Sequence, residues 1–408
     1  MALNQLSFLE DKGEYITEWA TTPAGKKYPK KIGEFWTSMQ RQMHSLHYVV
    51  SYRASFKPEL PDYFIRRFTA EGDIVFDPFN GRGTTMLQAN LLGRTAWGND
   101  INPLSEILSY PKTNPVSYAE IEKRLKEIDL TMPVDFNKHP DLSMFYHPET
   151  FREIVNLKNY LQEHTTDVDR FIQLIATSRL HGHSNGFFSV YSFPQISVPP
   201  ENQIKINQKR NQAPDYRPVK PRILKKAAQA LKSGKIQHIR NFSRDNKFNT
   251  QDSRDMSNLP SEKVQLIVTS PPFLDKADYI LDNWLEFWFT GIDGEQLRGK
   301  IVQTANIREW KKFMKDSMRE MYRILKPGGI CVIEVGEVRV TGKKNLLNLD
   351  EVIVEISEEL SSENRNMKFN VKEVMIQVQQ FTKLANCFNV TNNLKGTNTQ
   401  RLVVLQKE

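Results

Sequence analysis

The sequence predicts an α/β protein built on a doubly wound, mostly parallel sheet, with helices on both faces and a large insertion. Three observations carry this. An apolar run, Asp73-Ile-Val-Phe76, enters a glycine-rich turn, Asn80-Gly-Arg-Gly83, followed by a helix-like stretch from Thr84 to Leu92 and a second short strand ending at Asp100. Val264–Val268 and Gly329–Val335 read as two further buried strands, the first ending in a Pro-Pro turn and the second entered through Lys326-Pro-Gly-Gly329. Continuous apolar runs alternating with helical stretches belong to parallel sheets covered on both sides.

In chain order, residues 1–40 are polar, carry the doublets Lys26-Lys27 and Lys30-Lys31, and read as an N-terminal arm. Residues 41–130 hold the strand-turn-helix start, and 131–250 are an inserted region, first helical (Glu149 to Leu161, Val168 to Arg179) and then rich in Pro, Asn and Lys. Residues 251–408 hold the later strands. There the alternation in Lys368-Phe-Asn-Val-Lys372 and Arg401-Leu-Val-Val-Leu405 predicts an antiparallel pair closing the sheet edge.

Composition excludes several classes. Hydrophobic residues are 39% and no apolar run is long enough to span a bilayer, so no membrane partner is expected. The N-terminal residues contain acids and lack an apolar core before a cleavage site, which predicts a cytoplasmic location. The two cysteines, Cys331 and Cys387, lie in no metal or redox spacing. The net charge is +8, and residues 201–244 alone hold twelve Lys/Arg against Glu201 and Asp215, an excess larger than that of the whole chain. A polyanionic partner follows from such a segment.

The turn Phe76-Asp77-Pro78-Phe79-Asn80-Gly81-Arg82-Gly83-Thr84-Thr85 sets two glycines between a strand and a helix, where backbone can approach a ligand at the helix N-terminus. Asp100, 23 residues after Asp77, ends the next strand, where a carboxylate can accept from both hydroxyls of a ribose. The pair suits a nucleoside-bearing cofactor in a Rossmann-like fold. Thr84 and Thr85 stand where a dinucleotide fingerprint needs its third glycine, which argues against a nicotinamide dinucleotide.

Thr269-Ser270-Pro271-Pro272-Phe273 follows a buried strand and so faces the same crevice. An exocyclic amine on a nucleobase is a weak nucleophile because its lone pair is delocalised into the ring. The Ser270 hydroxyl and a backbone carbonyl within Ser270–Pro271 can accept both N–H groups and favour a pyramidal nitrogen. The prolines fix the direction of those carbonyls, and Phe273 offers a ring on which an extruded base can stack. Rate would come chiefly from positioning.

These strings together resemble the amino-directed (N4-cytosine/N6-adenine) DNA methyltransferases. The glycine turn is similar to the family's motif I, Tyr52-Arg-Ala-Ser-Phe56-Lys57-Pro58 to the segment that contacts the methionine end of the cofactor, and Gln251-Asp252-Ser-Arg254 with Leu266–Phe273 to motifs III and IV. The resemblance implies an S-adenosylmethionine-dependent methyltransferase fold with an inserted DNA-recognition region, and S-adenosyl-L-methionine as cofactor. It implies cofactor contacts at Phe56, Asp77, Phe79, Gly81, Gly83, Thr84, Asp100 and Asp252, and a catalytic turn of Ser270, Pro271, Pro272 and Phe273. Serine at 270, where adenine-specific members usually carry Asp or Asn, goes with the N4 of cytosine. Adenine N6 methylation, RNA methylation and a dead methyltransferase fold serving DNA recognition are the alternatives. Cytosine C5 methylation needs a thiolate after proline, and Cys331 and Cys387 follow Ile330 and Asn386.

The placement of the basic insertion between the two motif halves matches the order in which this family carries its target-recognition region. It makes Lys205, Lys209, Arg210, Arg217, Lys220 and Arg222 the expected contacts to double-stranded DNA. A cognate restriction endonuclease is a further candidate partner. His181 and His183 form an HxH with no third ligand identifiable, so no metal is expected. Trp284 and Trp288, at i and i+4, are expected to pack a helix near the site.

Overall fold

The computed structural model describes residues 15–36, 43–194, 196–272, 278–339, 346–378 and 399–408. Nine strands form one sheet: β1 (Tyr15–Thr21), β2 (Lys27–Gly33), β3 (Ile74–Asp77), β4 (Thr95–Asn99), β5 (Lys247–Asn249), β6 (Val264–Thr269), β7 (Leu325–Val335), then β10 (Phe369–Val378) and β11 (Thr399–Lys407). The short strands β8 (Glu337–Arg339) and β9 (Leu346–Asn348) pair separately. The sheet order is β1-β2-β10-β11-β7-β6-β3-β4-β5. From β7 through β5 every pairing is parallel, whereas β11 runs antiparallel to β7 and to β10.

Helices cover both faces because alternate residues of the central strands are apolar in both directions. Phe76, Ile267, Cys331 and Ile333 point to one side, against α11 (Ile307–Ile324) and α12 (Leu349–Glu363). Val75, Leu266, Val268 and Val332 point to the other, against α1 (Glu59–Phe68) and α2 (Thr84–Leu91). The register Phe76↔Ile267 and Ile267↔Cys331 aligns the carboxyl ends of β3, β6 and β7 on one edge. Open α/β sheets bind ligands along that edge.

A separate apolar core joins α3 (Leu104–Thr113), α4 (Tyr118–Glu127), α5 (Pro148–Glu163), α6 (Asp167–Thr177), α8 (Val219–Ala230), α9 (Ile236–Ser243) and α10 (Trp284–Thr290), with α7 (Pro200–Arg210) against its outer side. Leu108, Phe171, Ile172, Ile223 and Leu285 meet there. This helical unit therefore draws on residues either side of the expected insertion, and the insertion's last segment, β5, returns to pair with β4.

The N-terminal region departs from the expected arm. Residues 15–33 form an antiparallel hairpin whose second strand pairs parallel with β10 at Val374↔Lys30 through Gln377↔Gly33. The second basic doublet is anchored: Lys30 lies 3.4 Å from Asp350, and Lys31 lies 2.9 Å from Glu373, whereas Lys26 and Lys27 are exposed. The antiparallel C-terminal pair forms as read, but the hairpin extends the sheet beyond it. Among the described residues no helix is long and apolar enough to cross a membrane.

Candidate active site

A cleft opens at the carboxyl ends of β3, β4 and β6. Of the expected cofactor residues, Phe56, Asp77, Phe79, Gly81, Thr84, Asp100 and Asp252 all line it, as do Ser270 and Pro272. Two segments separated by nearly two hundred residues thus converge on one cavity.

The glycine turn is held by its own carboxylates. Gly81, at φ +51°, donates its N–H to Asp100 Oδ2 at 2.8 Å, and Asn102 N–H donates to Oδ1 at 2.9 Å. Burial pushes the Asp100 carboxyl up to about 6 against those two bonds. Asp77 is deeper. Its Oδ1 accepts from the Thr269 hydroxyl at 2.6 Å and from Phe79 N–H at 3.1 Å, so it ties the glycine turn to the strand before Ser270. Burial outweighs these bonds and raises the Asp77 carboxyl to about 7.

Gly83 departs from the expected cofactor contact. It lies outside the cleft lining, and at φ +75° a Cβ there would sit 2.3 Å from Ser109 Cβ. Packing of α2 against α3 demands this glycine. The Asp252 carboxylate faces the cleft but is engaged by Arg254, whose guanidinium donates at 2.6 and 2.9 Å and lies over the Phe313 ring. Phe313 in turn meets Phe79 at 5.8 Å between centroids, forming an apolar wall.

On the other side, Thr269 is fully buried and the chain then turns so that Ser270 enters the cleft. The Ser270 Oγ is buried and fulfils no hydrogen-bond geometry, although it lies close enough to the Glu334 carboxyl to lower its pKa. Burial nevertheless raises Glu334 to about 7, and Gln400 Nε2 donates to its Oε1 at 2.8 Å. The Pro272 carbonyl accepts from Trp310 Nε1 at 2.8 Å, which fixes the Pro-Pro turn to α11. Phe273 and Cys387 lie outside the described residues. Cys331 is fully buried, and burial pushes its thiol up.

Several supports carried no motif in the sequence. The Arg82 guanidinium donates to the carbonyls of Val50 and Phe56, lashing the Tyr52–Phe56 segment to the glycine turn. Buried Lys112 donates to the Arg82 carbonyl at 2.7 Å. Tyr52 and Tyr279 stack at 6.2 Å beside the cleft. Glu334 could have been suspected as the one acid within the apolar run that ends β7. The others depend on contacts between distant segments.

The basic insertion divides into two groups. Lys205, Lys209 and Arg210 lie on α7, the last two exposed in its final turn. Arg217 is a correction: it is 6% exposed, and its guanidinium donates to the carbonyls of Phe187 and Ser189 and to Asp215. A cation spent on buried carbonyls cannot reach a phosphate. Lys220 likewise donates to the Ile128 carbonyl, and Arg222 to the carbonyls of Asn185 and Pro218. Trp284 and Trp288 pack as expected, the first donating to the Ser197 carbonyl and the second stacking on Phe151.

A family model described as DNA methylase matches residues 5–108 and 264–403. The type II methyltransferase M.BsoBI of Geobacillus stearothermophilus is 24% identical over 382 residues, covering 84% of this chain and 70% of the relative. M.MvaI of Kocuria varians, also a type II methyltransferase, is 25% identical over 165 residues, 38% of this chain and 32% of the relative. Among solved structures, TrmN from Thermus thermophilus aligns over 87% of this chain and 50% of its own at 13% identity, with a TM-score of 0.33. The cytosine-N4-specific PvuII DNA methyltransferase aligns over 38% and 47% at 14% identity, with a TM-score of 0.25.

Proposed function

The chain belongs to the N6/N4 DNA methylase family, and from that premise we propose that it transfers a methyl group to the exocyclic N4 of cytosine in duplex DNA. The observation that carries the choice of chemistry is Ser270: a buried hydroxyl that lines the cleft beside the Glu334 carboxyl and accepts from no donor among the described residues. A buried hydroxyl oxygen with unused lone pairs favours a ligand that donates to it. Serine here, rather than Asp or Asn, favours cytosine over adenine as the family resemblance has it.

S-adenosyl-L-methionine supplies an electrophilic methyl group when bound. The donor set fits it. Asp100 would accept from the ribose hydroxyls, the Phe79–Phe313 wall would cover the adenine, and the buried, unpartnered Gln251 Oε1 in the same cleft can accept from an amino group. Phe56 and the Tyr52 segment would border the methionine end. Ser270, with its hydroxyl proton turned to Glu334, offers a lone pair to one amine N–H. The proton that N4 must lose on gaining a methyl group has a path through Ser270 to Glu334. The type II relatives support a place in a restriction-modification system, with a cognate endonuclease as partner.

The direct test incubates the protein with duplex DNA and labelled S-adenosylmethionine, digests to nucleosides and identifies the methylated one. Label in N4-methyl-2′-deoxycytidine is expected, whereas label in N6-methyl-2′-deoxyadenosine, or label only in RNA supplied in a parallel incubation, would select the corresponding alternative.

Asp100→Ala should weaken S-adenosylmethionine binding by at least about tenfold in calorimetry, the scale of losing one hydrogen bond to a charged group. Because Asp100 also holds Gly81 and Asn102, a modest fall in melting temperature should accompany it. Unchanged affinity would remove Asp100 from the cofactor site.

For DNA, binding should weaken linearly with log salt, and neutralising Lys205, Lys209 or Arg210 singly should lower that slope by roughly one unit. Arg217→Gln should instead destabilise the protein. A slope insensitive to all three α7 substitutions would move the phosphate-binding surface elsewhere.

A further inference from the structure

Next to the cofactor cleft, and sharing Tyr52 and Arg53 with it, lies a second cavity of about 980 Å3 whose lining is mostly polar. Arg179, His181, Lys226, Asp282 and Glu286 face it. Most of these charges are matched. Arg53 donates to Asp282 Oδ2 at 2.7 Å, Lys226 to the Tyr48 carbonyl at 3.1 Å, and Glu286 accepts from His181 Nε2 at 2.8 Å and from the Ser197 hydroxyl.

Two groups are not matched. The Arg179 guanidinium stacks on the Phe187 ring at 4.0 Å and donates from Nε to Ser178 Oγ at 3.3 Å, yet among the described residues it forms no ion pair. Burial alone lowers its pKa to about 10: among the described residues Asp282 and Glu286, which face the same cavity, are engaged by Arg53 and by His181 and Ser197 instead. An uncompensated cation in such a place is costly unless something binds it. His181 is 9% exposed, and its Nδ1 is buried without a hydrogen-bond partner. In the tautomer that carries its proton on Nε2, directed to Glu286, Nδ1 offers an acceptor.

The surrounding loop holds these groups in place. Gly182 has no room for a Cβ, which would lie 2.4 Å from the Phe187 ring. The buried Arg217 holds the carbonyls of Phe187 and Ser189. Phe187 is thereby fixed as a platform beneath the Arg179 guanidinium.

On the reading that the substrate is DNA, we propose that this cavity receives a guanine base of the recognised site, with Arg179 donating to O6 and His181 Nδ1 accepting from N1–H. A phosphate offers only acceptors and would leave Nδ1 unmatched. On their pairing edges cytosine and adenine present an amino group beside a ring nitrogen acceptor rather than a carbonyl beside a ring N–H; thymine presents N3–H beside O4 and is the occupant selected if every guanine tolerates the replacement below. O6 and N1–H lie on the pairing edge of guanine, so the base must leave its pair to enter the cavity.

The test first maps the wild-type methylation site, then replaces each of its guanines in turn with 2-aminopurine, which lacks O6 and N1–H. At one position kcat/KM should fall by about 10- to 100-fold. Arg179→Gln and His181→Ala should each lose that discrimination against the analogue while keeping wild-type cofactor affinity and salt slope. If Arg179→Gln does not fold, His181→Ala and the wild-type analogue series carry the test. Tolerance of 2-aminopurine at every guanine by the wild type would overturn the proposal. So would folded variants that keep the wild-type preference, or a salt slope lowered by about one unit in Arg179→Gln, which marks a phosphate contact. No methylation of any duplex would overturn the DNA reading as well as this one.

Discussion

Replacing Ser270 with Ala should lower the methyl-transfer rate by on the order of 100-fold, the scale of removing one preorganised polar contact from a transition state. Melting temperature and cofactor affinity should hold. The Oγ is buried and its one neighbour of consequence is the Glu334 carboxyl, which burial already holds near neutrality. Deleting the hydroxyl removes a weak contact together with the cost of burying it, so stability should stay nearly level. Thr269 and Trp310, not Ser270, hold the turn in place. A single-turnover rate at the wild-type level, or a large drop in melting temperature, would show the turn to be structural.

The central strands were legible because both faces of β3, β6 and β7 are buried, which leaves short continuous apolar runs with turn residues after them. The glycine turn and the Thr269–Pro272 turn were legible for a related reason: backbone-restricting residues at strand ends leave a local trace. The hairpin at 15–33 was not. Its burial pattern is mostly intermediate or exposed, and Lys30 and Lys31 are paired with Asp350 and Glu373 more than three hundred residues away. No local pattern reports such pairing.

The basic insertion shows the same limit. Charge counting treated Lys205 through Arg222 as one surface, yet burial separates Arg217 from the exposed end of α7. A guanidinium that caps three loop groups and one that contacts a phosphate look alike in sequence, and only the location of their acceptors distinguishes them. Gly83 is the inverse case. Its place in the motif was legible, but its φ and the nearness of Ser109 assign the need to packing. Asp77 is similar, since its carboxyl links two turns through Thr269 as well as lining the cleft.

Glu334→Gln should lower kcat by about 100-fold or more, within the range of a lost general base, while leaving S-adenosylmethionine affinity near wild type. On the proposed path Glu334 would act through Ser270, positioning it and holding the released proton, so its pH profile is the discriminating measurement. Burial raises its carboxyl to about 7. Only the ionised form can take a proton, so the wild-type rate should climb as pH rises through about 7 and then level. The amide introduced by Glu334→Gln cannot ionise, and the residual rate should lose that limb. Stability runs the other way. A carboxyl whose folded pKa is raised from 4.5 to about 7 contributes stability that is fully present below the unfolded value and lost as pH rises through the folded one. Asp77, also raised to about 7 by burial, adds a loss of the same sign. Asp100, raised to about 6, adds a third loss of that sign, so the melting temperature of the wild type should decline between about pH 5 and 8, and Glu334→Gln should remove part of the decline while Asp77 and Asp100 preserve the rest. A variant with an unchanged rate profile and an unchanged stability profile would leave Glu334 without a titrating role. One that loses only the stability dependence would confine it to the fold.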